Sequence, residues 1–130
     1  MAGEFPRGLY QAFAMLEHMP VEQRHSLVAQ LVEKYPSHAP AWALHAQFLK
    51  NPSDALAAIE RGLAARPDPD TRGSLLVQKA LVLHAQGASE RALEILEPLT
   101  ASTGDSVATH AKARVAVAFV QSAASSRQQP

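Results

Sequence analysis

Apolar side chains recur along this sequence three and four positions apart, in stretches that Pro, Gly and short polar clusters interrupt. That period is the signature of amphipathic helices, and the interruptions mark their ends. Seven helices are predicted. The first runs from about Arg7 to His18 and is closed by Pro20, and the second runs from Val21 to Tyr35, where Pro36 stops it. The third spans Ala39 to Lys50, before the turn Asn51-Pro52-Ser53. Ser53 is expected to cap the fourth, Asp54 to Ala65, which Pro67 and Pro69 end. Thr71 is expected to cap the fifth, which continues to Gln86 with Gly87 just past its end, the usual place for a left-handed residue. Ser89 is expected to cap the sixth, in which Ala92, Leu93, Leu96 and Leu99 form one apolar stripe. The seventh spans about Ser106 to Ala124. The tail that follows has little to bury, so residues 125–130 are expected to be disordered.

The chain also repeats itself. Ala12, Ala46 and Ala80 lie 34 residues apart, and the next step lands on Arg114 within another Ala-rich segment. Short connections make successive helices antiparallel, and a string of helix hairpins buries its faces only by stacking on itself. The expected architecture is all-α: a right-handed solenoid of about three antiparallel helix hairpins plus a C-terminal helix, in one domain over residues 5–124.

Within that period the unit from Gly73 to Ser106 resembles the tetratricopeptide repeat family. Leu76, Ala80, Leu83, Ala92, Leu96 and Leu99 stand at its repeat positions 4, 8, 11, 20, 24 and 27. The preceding unit is similar through Trp42, Ala46, Leu49, Ala55, Ile59, Gly62 and Pro67, with a turn about three residues short that Asp68-Pro69-Asp70-Thr71 makes up. From Phe5 to His38 the match rests on Ala12, Met15, Val28, Leu31 and Pro36, and Arg24 departs from it by occupying a small-residue position. The last helix matches half a unit, as a capping helix does. The resemblance implies a protein-binding concave surface built from repeat positions 2, 5, 9 and 12.

Those positions hold Leu9, Phe13 and Leu16, then Ala43, Gln47 and Lys50, then Ser74, Val77, Leu81 and His84, then Ala111, Val115 and Ala118. The surface is mainly apolar and suits a partner helix anchored at i, i+3, i+4 and i+7. The subgroup of the family that clamps a C-terminal carboxylate is not matched, because Ala43, Gln47, Ser74 and Gln78 stand where its Lys, Asn and Arg would be. The final helix is apolar around much of its circumference through Val107, Ala111, Val115, Val117, Phe119 and Val120. It is expected either to fold over the groove or to form an interface.

Composition narrows the function classes. Apolar residues make up 47% of the chain, with only four Phe, two Tyr and one Trp, which favours close helix packing. Twelve Lys and Arg balance twelve Asp and Glu, so no net field favours nucleic acid, and RNA-reading pentatricopeptide arrays of similar period are disfavoured with it. There is no Cys, hence no disulfide or thiolate chemistry. No run of eighteen apolar residues occurs and the N-terminus lacks a basic start with an apolar run, so membrane insertion is not expected and a cytoplasmic location is the default.

Six histidines raise metal or proton-transfer chemistry, but no two have the spacing of a helical metalloprotease site. His45 is expected to be partly buried with one hydrogen bond, and Trp42 to be a core residue. Gly-rich phosphate loops and a nucleophile elbow are missing, and Glu90, Glu94 and Glu97 read as a solvated helix face. No catalytic, metal or cofactor residue is assigned. The expectation is a non-enzymatic interaction module, an adaptor or assembly chaperone holding an amphipathic helix or peptide of another protein. The alternative is a structural subunit that forms a homodimer through its C-terminal helix.

Overall fold

A computed structural model describes residues 15–101 and 107–128 of the chain. Among them are a short 3-10 helix, Leu16–His18, and six α-helices, with no strand. The α-helices are α1 (Val21–Lys34), α2 (Ala39–Phe48), α3 (Pro52–Ala64), α4 (Pro69–Ala85), α5 (Ser89–Ala101) and α6 (Val107–Gln128). Most of the first expected helix, including Leu9 and Phe13, lies outside the described residues. At the other end α6 runs on to Gln128, past the point where a disordered tail was expected, and only 129–130 of that segment lie outside the description.

Pro lies in the first turn of three helices, and at α3 and α4 the residue before it is the cap. Asn51 accepts from the backbone N–H groups of Ser53 at 2.9 Å and Asp54 at 3.3 Å, with Pro52 in the first turn. Asp68 does the same for α4, accepting from Thr71 N–H at 3.1 Å and from the Thr71 hydroxyl at 2.6 Å. Ser53 and Thr71 are therefore donors within the first turn and do not cap. Pro suits this place because its missing N–H is one that a helix start leaves unpaired anyway. The hydroxyl of Ser89 is likewise engaged elsewhere, 2.8 Å from His84 Nδ1.

The far ends of α3 and α4 turn in the left-handed region. Arg66 has φ 53° and Gly87 has φ 89°. At Gly87 the closure is double: its N–H donates to His84 O at 2.9 Å and Ala88 N–H donates to Leu83 O at 2.8 Å. Ala88 and Leu83 also pack in the same apolar cluster, as this helix-ending motif favours.

Each helix packs on the next, and α2 also packs on α4 and α4 on α6. The core is two clusters joined through α4. One gathers Leu31 and Val32 of α1, the Ala-rich face and Trp42 of α2, Ala58 and Ile59 of α3, and Leu75 of α4. The other gathers Val77, Ala80 and Leu83 of α4 with Ala92, Leu96 and Leu99 of α5 and Ala113, Ala116 and Val120 of α6. Trp42 is a core residue: its indole N–H donates to Pro36 O at 2.8 Å, and the Arg61 guanidinium lies 4.9 Å from its ring centroid. Arg24, where the repeat pattern asks for a small residue, is half-buried and donates its Nε to Met19 O at 2.7 Å. The turn before α1 thus takes one of its donors.

Some positions 34 residues apart share burial. Ala41, Leu75 and Thr109 are so spaced and all three are buried, as are Ala46 and Ala80. Arg114, one period beyond Ala80, is exposed.

Two glycines permit the closest approaches. A Cβ on Gly62 would stand 3.0 Å from Trp42 Cβ and 3.0 Å from Leu75 Cδ2, and one on Gly73 would overlap the Thr109 side chain. Alanine in mid-helix is ordinarily favoured over glycine by about 0.5–1 kcal/mol, so a net loss isolates the contact. Gly73→Ala is expected to destabilise by about 1–3 kcal/mol, as overpacking does, read as a lower urea midpoint. Adding Thr109→Ala should recover part of it.

Candidate functional site

The second cluster fixes the rotation of α6. Thr109, Ala113, Ala116 and Val120 recur at helical spacing and are buried. Burying that face turns the remaining apolar residues outward. Val107, Val115 and Phe119 are 86%, 71% and 57% exposed, and Ala111 completes the stripe at steps of four. Ala111, Val115 and Phe119 of this stripe, with Val77 and Leu81 of α4, border a cleft between α4 and α6 of about 610 Å³, which Lys112 and Ala116 also line. Lys112 is the one charged side chain on its wall. Its Nζ donates to the Ser74 hydroxyl at 3.0 Å.

A second cleft of about 360 Å³, mixed in character, lies between α2 and α4. Pro40, Ala43, Leu44 and Gln47 form one side of it, and Asp70, Thr71, Ser74 and Gln78 form the other. Ser74 belongs to this cleft and is bonded to a residue of the first, so the two meet at the Ser74–Lys112 pair.

The expected concave surface is therefore divided between two clefts. Val77, Leu81 and Val115 line the one between α4 and α6, and Ala43 and Gln47 line the one between α2 and α4. Lys50 is exposed beyond the end of α2 and lines neither. Leu16 is buried in the 3-10 helix and offers no lining surface. His84 is buried too: its ring bonds to Ser89 and meets the edge of Phe119 at 5.3 Å between centroids, tying the end of α4 to α5 and α6. Lys112 and Phe119 are lining residues that repeat positions do not supply. The step of four from Val107 through Ala111 and Val115 leads directly to Phe119.

His25 and His45 come near one another, with ring centroids 6.3 Å apart, but no metal site results among the described residues. Among the described residues no group of three or more His, Asp or Glu is placed to hold a metal ion. His25 stacks on Phe48, with centroids 5.5 Å apart and planes 9° from parallel, and His45 meets Trp42 edge-on at 6.0 Å. His45 Nδ1 and His110 Nε2 are buried without a hydrogen-bond partner, so at His45 this nitrogen lacks the bond expected of it. Burial, and then the nearby His25, hold the His45 pKa below the usual imidazole value, and burial does the same at His38.

No helix among the described residues is long and apolar enough to cross a membrane. The chain matches no protein-family model, no curated protein and no solved structure.

The lowered His45 and His38 values mean that the unfolded chain binds protons more readily than the folded one. The stability these neutral rings contribute is present above the ordinary imidazole pKa and is lost as pH falls through the lowered values. The thermal midpoint is expected to drop between pH 7 and pH 5, and His45→Gln should flatten that slope.

Proposed function

We propose that this chain is a divergent tetratricopeptide-like array: a right-handed solenoid of helix hairpins closed by α6, which holds an amphipathic helix of another protein in the cleft between α4 and α6. The reading assigns it work as an adaptor or assembly chaperone, with no catalytic, metal or cofactor role. A cytoplasmic setting suits that work.

The observation that carries the proposal is the outward stripe of α6 facing Leu81. Val115 and Phe119 are exposed although their helix is packed along its other face, and with Val77 they border a cleft wide enough for side chains of a docked helix. Covering an aliphatic side chain of this size is worth about 1.5–3 kcal/mol when complete. A few anchors at i, i+3, i+4 and i+7 would then supply most of the affinity. The repeat assignment is supported by the buried series Ala41, Leu75 and Thr109, by Ala46 and Ala80, and by direct packing of α2 on α4 and α4 on α6. Exposed Arg114 fits a final helix that needs no further partner on that side.

Leu81→Glu with Val115→Glu places carboxylates in the cleft while leaving both core clusters intact. The double variant should keep its helical circular dichroism and lose capture of a partner crosslinked at the cleft by at least about tenfold, on the scale of losing two interface anchors. Retained capture would overturn the assignment of the cleft.

A further inference from the structure

The chain is neutral overall, but its charges are sorted by helix. α1, α3 and α5 carry seven acidic residues against four basic ones. α2 carries neither, and α4 with the described side chains of α6 carries Arg72, Lys79, Lys112 and Arg114 against Asp70 alone. Because α2, α4 and α6 pack directly side by side, this bias belongs to one contiguous row of helices. Of these bases Lys79 is matched by Glu60 at 2.6 Å, an ion pair with α3. Among the described residues Lys112 bonds to the neutral Ser74 hydroxyl at 3.0 Å, on the wall of an otherwise apolar cleft.

We infer that the occupant of the α4–α6 cleft is an amphipathic helix of net negative charge belonging to another protein, with a carboxylate flanking its apolar stripe that pairs with Lys112 Nζ. The inference rests on the cleft reading above and adds the partner's chemistry to it. Lys112 is exposed, so a carboxylate brought there gains more than a free surface pair once the docked helix covers both and excludes water. The same charge weighs against a second copy docking through its own α6. That helix contains no Asp or Glu, so two α6 stripes laid together would bring Lys112 and Arg114 of each copy near one another with nothing to offset them.

The test is selection of a helix-constrained peptide library, with leucine at i, i+3, i+4 and i+7 and all other positions randomised, against the full chain. Selected peptides should favour Asp and Glu over Lys and Arg beside the leucine stripe, and Lys112→Glu should reverse that preference. A selected acidic peptide should bind Lys112→Glu about five- to tenfold more weakly and Lys112→Arg almost as well as wild type, a change typical of one interfacial charge pair. Acidic and basic peptides selected equally, with both lost in Val115→Glu, would overturn the acidic partner and leave the cleft standing. No selected peptide, or binding untouched by Val115→Glu, would overturn the cleft itself. A dimer of the wild-type chain in sedimentation, dissolved by Val115→Glu, would overturn the inference in favour of a second copy.

Discussion

The arrangement depends on how closely α4 can approach the helices around it. It packs on α2, α3, α5 and α6, and Gly73, Leu75, Val77, Ala80, Leu83 and His84 are buried in those contacts. Gly73 admits Thr109 of α6, and Gly62 of α3 admits Leu75 of α4 beside Trp42. Leu75 then fills one cluster while Val77, Ala80 and Leu83 fill the other. Interiors are packed to the density of organic crystals, so these contacts leave little freedom in the placing of α6. The cleft inherits its shape from that placement, since Leu81 lies on α4 and Val115 and Phe119 on α6.

The approximate spans of the six α-helices were legible because Pro and Gly punctuate the sequence sharply. Pro36 stands just past α1, Pro52 and Pro69 open α3 and α4, and Gly87 closes α4. The caps were misread for a related reason. A hydroxyl three or four residues ahead of an apolar run looks like a cap, but where Pro occupies the first turn the cap is the residue before it, Asn51 or Asp68. Ala46, Ala80, Ile59 and Leu96 were legible as core because helices that touch there demand small or well-fitting side chains. Gly73 was not legible as a contact. Its role depends on Thr109, 36 positions later, and no local pattern announces it.

For the site, Leu81 of α4 and Val115 of α6, both named from repeat positions, line one cleft. The period could not say that Leu16 and His84 would be buried, because depth depends on what packs above a residue and not on its place in a period. His84 is drawn inward by Ser89 and by the Phe119 ring. The balance of twelve bases against twelve acids was equally uninformative at the level of the whole chain. Only when the helices are assigned does the sum separate into an acid-rich set and a base-rich row, and that separation is what gives Lys112 its meaning.

The division of the core has a consequence for how such a chain can change over generations. Because Leu75 serves one cluster and its near neighbours serve the other, α4 is common property of both halves. A crossover in the loop before α4 would strip the first half of Leu75, and one in the loop after it would strip the second half of Val77, Ala80 and Leu83. Recombination between relatives at either loop therefore succeeds only when the incoming segment brings an α4 already matched to Gly62 on one side and to Thr109 on the other. Interhelix loops look like natural joints for exchanging modules, yet here the inherited unit is larger than any hairpin.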